Sequence, residues 1–111
     1  MRRKRLQGPD ELRAAIENWA AKIEARPRQI RIQPMTRKWA SCSSKGRVTF
    51  NSELFGQPYG FQEFVIVHEL LHLKIPNHGK LFKSLLKAYL PQRYRRRGEG
   101  KRTKSIFIAR V

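Results

Sequence analysis

Cysteine is almost missing from this 111-residue chain, with Cys42 the only one. An intramolecular disulfide is therefore excluded, and a reducing cytoplasm is the expected setting. Acidic residues are scarce as well. Eight Asp and Glu stand against 25 Lys and Arg, for a formal net charge of +17. A surface of that sign favours polyanions: nucleic acid, nucleotides or acidic lipid. No apolar run approaches the roughly 18 residues of a membrane span. The basic start MRRKRLQ is followed by no apolar stretch of the kind a secretory signal needs. Histidine is equally sparse. There are three, and all fall in VIVHELLHLKIPNHG, residues 65–79.

What is present suggests one small domain, residues 1–111, with no internal repeat. Residues 1–8 read as a basic arm, flexible over 1–7, and 92–111 as a basic tail in which SIFIARV could add a strand. Between them, Leu12, Ala15, Ile16, Trp19, Ala20 and Ile23 recur at helical spacing. Asp10 is the candidate N-cap and Pro27 limits the end. RQIRIQPM alternates and reads as a strand with Ile30 and Ile32 on one face. KWASCSSKGRVTFN reads as a hairpin, with 44–46 as its turn and 47–51 as its return arm.

From Phe61 to Lys74 the chain is apolar almost all round, the mark of a helix buried on several sides. The run Val65, Ile66, Val67 could argue for a strand, but the length and the histidine spacing favour a helix. Pro76 disfavours helical backbone at residue 75 and so ends this helix near Lys74. GKLFKSLLKAYLP predicts a last helix with Leu81, Phe82, Leu85, Leu86 and Tyr89 inward and Pro91 as the stop. The charge is uneven. Residues 49–90 hold four lysines, leaving 21 of the 25 basic residues in the flanks.

The histidine segment carries the chemistry. A helix advances about 100° per residue, so His68 and His72 share a face one turn apart. Two imidazoles so placed can hold one Zn²⁺ at about 2.0–2.1 Å each. Glu69 is offset by about 100°, within reach of a water on that metal. Two ligands and a general base are the mechanical content of H-E-x-x-H. A catalytic zinc needs a third protein ligand. His78 would point away in a continuous helix, but Pro76 breaks the helix and Asn77 tolerates the turn that could bring His78 back. A lone histidine is more often an ordinary core or surface residue; three at this spacing around a glutamate are better read as a metal site.

HELLH followed by NHGKLF, with KWASCSS and GRVTFN upstream, resembles the YgjP-like metallopeptidase domain and is similar to SprT-like and WLM proteases. The resemblance runs from about Arg37 to Pro91, and the family pattern has glycine where Ala40 stands. It implies an α+β minimal zincin-like fold: about three helices on a small mixed, mainly antiparallel sheet. It implies one Zn²⁺ per chain on His68, His72 and His78, with Glu69 as general base. It also implies that the hairpin strand nearest the helix frames the substrate cleft, and that helices 10–25 and 79–90 back the site. The histidine spacing matches metzincins too. Those carry glycine where Ile75 stands and need a downstream methionine turn, whereas the methionines here are Met1 and Met35.

The expected reaction is peptide hydrolysis by a zinc-activated water. Two rivals stay open: a zinc-dependent nucleotide phosphoanhydride hydrolase and a non-catalytic nucleic-acid-binding zinc module. The partners expected are a polypeptide and, through the basic N- and C-terminal segments, nucleic acid or another polyanion. Cys42 reads as a packed strand residue, with a fourth ligand or redox role as the alternative. Trp19 and Trp39 read as core anchors and Glu63 as a solvated carboxylate. Asn51 supports the edge strand, and Tyr59, Tyr89 and Tyr94 are candidate oxyanion donors.

Overall fold

The computed structural model describes residues 5–77 and 79–90. Helix α1 spans Pro9–Ile23 and strand β1 Gln29–Gln33. The hairpin strands are β2, Ala40–Cys42, and β3, Arg47–Asn51. A short 3₁₀ turn, Ser52–Leu54, leads to α2, Tyr59–Lys74, and α3 is Lys80–Tyr89. The expected α+β class holds, with three helices on a small mixed sheet. Its order is β1-β3-β2, with β1 parallel to β3 and β2 antiparallel to β3. Hairpin signals reveal the local β2–β3 pairing. The five-pair parallel ladder from Gln29↔Arg47 to Gln33↔Asn51 joins distant segments and leaves no local signature.

Pro9 occupies the first turn of α1, where its missing N–H costs nothing, so Gly8 rather than Asp10 is the N-cap. Asp10 and Glu11 lie in the first turn, where their charge suits the helix dipole. The buried face is Leu12, Ile16, Trp19, Ala20 and Ile23, as the periodicity predicts. In α3, Phe82 and Leu86 are buried, whereas Leu81 is 61% exposed instead of inward. Pro91 and the predicted strand at 105–111 lie outside the described residues.

Helix α2 is the centre of the molecule. Every residue from Val65 to His72 is buried, with α1, α3 and β2 packed around it. That enclosure makes a helix of a β-branched run, because covering all its faces outweighs the small propensity cost at Val65 and Ile66. It also overturns Glu63 as a solvated carboxylate. Glu63 is 8% exposed, because even the face turned away from the histidines is covered.

The inner half of the basic arm is tied down rather than flexible. Leu6 N–H donates to Gln62 Oε1, and Gln62 Nε2 donates to the carbonyls of Leu6 and Leu54. Gly56 N–H also donates to the Leu6 carbonyl. A fully buried amide thus fastens the chain start to α2. Nothing in the sequence marks this role except a glutamine within an apolar run.

Candidate metal centre

Seven polar residues are buried among those described, and five of them lie on α2: Gln62, Glu63, His68, Glu69 and His72. Burying polar groups costs free energy that aliphatic residues would avoid, so such a concentration marks a functional position. Gln62 is accounted for by its backbone clamp. His68 and Glu69 are fully buried and His72 nearly so, one turn deeper in the helix.

The His68 and His72 ring centroids are 4.9 Å apart, with planes at 81°. Two imidazoles bound through a nitrogen to one tetrahedral ion at about 2.0–2.1 Å place their centroids about 5 Å apart. The observed pair fits that demand. His72 Nδ1 lies 3.3 Å from the Ile75 carbonyl oxygen. A carbonyl only accepts, so Nδ1 carries the proton and Nε2 is the nitrogen with which His72 would ligate. His68 Nδ1 lies 3.2 Å from Glu69 Oε2. Glu69 is thereby placed beside the histidine pair.

Pro76 lies behind the Ile75 contact. Ile75 has extended backbone, φ −130° and ψ 100°, the conformation favoured before proline. Its N–H still closes the last turn of α2 on the Leu71 carbonyl, while its own carbonyl serves His72. Across the site, Phe82 stacks on His72 with centroids 4.7 Å apart and meets His68 edge-on at 5.4 Å. Helicity alone marks Phe82 as core; its contact with both histidines needs the packing of α3 on α2.

The fold therefore brings His68, Glu69 and His72 together, and the third expected ligand, His78, lies outside the described residues. Among the described residues, no three His, Cys, Asp or Glu side chains gather to hold a metal. Cys42 Sγ donates to the Ser43 carbonyl oxygen at 3.7 Å. This cysteine is a partly buried β2 residue packed against the core. Trp39 and Trp19 are core anchors as expected, in edge contacts with Phe61 and Tyr89 respectively. Of the tyrosines, Tyr89 packs on Trp19, Tyr59 opens α2 about 13.5 Å along the axis before His68, and Tyr94 is outside the described residues.

Asn51 is 1% exposed and uses its whole amide. Oδ1 accepts from the N–H groups of Met35 and Glu53, and Nδ2 donates to the carbonyls of Met35 and Lys38. It thus organises the loop that leads into β2, the edge strand beside α2.

A family model of the YgjP-like metallopeptidase domain matches residues 2–100. No curated protein matches the chain. Among solved structures, the metallopeptidase zymogen jannalysin of Methanocaldococcus jannaschii is similar at TM-score 0.65 and 28% identity, covering 70% of this chain and 80% of that one. The metallopeptidase zymogen abylysin of Pyrococcus abyssi shares the fold at TM-score 0.61 and 21% identity, covering 68% and 76%. No helix among the described residues is long and apolar enough to cross a membrane. Matched by the family model over nearly its whole length, and built around a buried histidine pair with a glutamate beside it, the chain belongs to the YgjP-like metallopeptidase domain family, a family of metal-dependent hydrolases whose metal is typically zinc.

Proposed function

We propose that this protein hydrolyses peptide bonds with one Zn²⁺ per chain, held by His68, His72 and His78, and with Glu69 as general base. The observation that carries the reading is the His68, Glu69 and His72 cluster, buried at the middle of α2 where packing alone would call for aliphatic residues.

When bound, Zn²⁺ brings the pKa of a coordinated water to about 7 and polarises the substrate carbonyl. The chain's own residues do the rest. His68 and His72 would hold the ion through ring nitrogens, with the His72 tautomer held by the Ile75 carbonyl and its ring held by Phe82. Glu69 takes a proton from the attacking water and delivers it to the leaving amine. The burial of Glu69 keeps bulk water from competing for that proton. Strand β2 is an edge of the sheet beside α2, so an extended polypeptide can pair along its outer side and cross the metal centre.

Glu69→Gln tests the assignment, because it keeps the shape of the buried side chain and removes its basicity. The zinc-loaded variant should retain one equivalent of metal and lose about 10²–10⁴-fold in turnover on an unfolded protein substrate. Unchanged turnover would remove Glu69 from the mechanism. Hydrolysis of nucleoside triphosphates by the parent, with no peptide cleavage, would favour the phosphoanhydride reading. Zinc binding with neither activity would favour the non-catalytic module.

A further inference from the structure

We propose that the depression beside His72 is a substrate subsite that takes an acidic side chain of the polypeptide; this deepens the metallopeptidase reading and rests on it. The depression has a volume of about 720 Å³ and lies between the loop after α1, the hairpin turn and the end of α2. His72 is among its lining residues, which places the depression next to an expected metal ligand. Arg26, Arg28, Lys45 and Lys74 line it against a single carboxylate, Glu24.

The local structure fixes two of these four residues, Arg28 and Lys74. The Arg28 N–H donates to the Gly46 carbonyl at 2.7 Å, which staples the loop after α1 to the hairpin turn. Gly46 has φ +90°, and a Cβ there would sit 3.0 Å from Arg28 Cγ. The absence of that side chain lets the Arg28 stem lie across the turn. Lys74 Nζ donates to the Ile23 carbonyl at 3.1 Å, at the C-terminal end of α1. That end carries partial negative charge, which suits an ammonium.

The shape favours a side chain over a nucleic acid. A concave site of this volume is in the range of small-ligand pockets, whereas a duplex offers its phosphates on a convex surface. Cys42, at the end of the edge strand, also lines the depression. A peptide extended along β2 therefore passes its mouth. At about 3.3 Å per residue, a side chain lodged next to His72 belongs to a residue close to the scissile bond. Four cations and one carboxylate select Asp or Glu at that position.

The test uses the full chain as zinc-loaded Glu69→Gln, so that bound peptide stays intact. Two fluorescein-labelled decapeptides, one with glutamates and one with glutamines at the same positions, are titrated by fluorescence anisotropy. Charge-assisted contacts predict about tenfold tighter binding of the glutamate peptide. Adding Arg26→Glu and Lys45→Glu, both exposed, should erase that preference. Adding Lys83→Glu and Lys87→Glu on α3 changes the net charge equally and should leave it. Equal affinity of the parent background for the two peptides overturns the proposal. Equal loss of preference in both double variants overturns it too, by assigning the effect to the overall field. Binding of a 20-base-pair DNA duplex that depends on Arg26 and Lys45, without peptide discrimination, overturns it in favour of nucleic acid. Cleavage of the same peptides by the parent is followed separately by mass spectrometry. A retained preference with no cleavage would support the subsite while removing the peptidase reading.

Discussion

The ring of His72 lies against that of Phe82, with centroids 4.7 Å apart and planes 30° from parallel. This contact ties the expected metal ligand on α2 to the first turn of α3. Phe82 is 1% exposed, so the same phenyl ring also belongs to the core. Phe82→Ala should cost about 3–5 kcal/mol of stability. Phe82→Leu keeps an apolar filling but no flat face. It should fold and bind zinc about tenfold more weakly, since groups that orient ligands typically matter by 10–100-fold. Competition with a chromophoric chelator reads the affinity; parental affinity in Phe82→Leu would mean the stack does not orient His72.

Each proposed ligand should be necessary. His68→Ala, His72→Ala and His78→Ala should each lose the single equivalent of zinc, measured by elemental analysis after dialysis. His68 and His72 are already paired at 4.9 Å. The decisive variant is His78→Ala, and full affinity with unchanged coordination there would refute a three-histidine site.

Pro76 should act through backbone geometry. It favours the extended Ile75 whose carbonyl faces His72 Nδ1, and it ends α2 before residue 78. Pro76→Ala lets the helix run on, so zinc affinity should fall about tenfold while the urea midpoint of the metal-free protein stays close to the parent's. Parental zinc affinity would show that other residues set the turn.

Asn51→Asp probes the loop that carries β2 into place. The carboxylate keeps the two acceptor contacts but turns a second oxygen toward the Met35 and Lys38 carbonyls. Two lost donors and the resulting repulsion should cost at least about 2 kcal/mol. Urea unfolding with an unchanged m-value would report this as a shift of the midpoint. A midpoint equal to the parent's would mean the loop holds itself.

The sequence by itself was enough for the helices and the hairpin, because those depend on local spacing. Apolar residues at helical intervals mark α1 and α3, and histidines four apart with a glutamate between them mark the buried, polar face of α2. The stop at Pro76 was legible for the same reason: proline restricts its own neighbour. Tertiary structure decided everything that depends on segments far apart in the chain. The parallel pairing of β1 with β3, the Gln62 clamp on Leu6, and the burial of Glu63 leave no periodic trace. The stacking of Phe82 on His72 and the convergence of Arg26, Arg28, Lys45 and Lys74 on one depression are of the same kind. Side-chain type and spacing state what chemistry a helix face can do, but which groups meet across that face is settled only when the whole core closes around it.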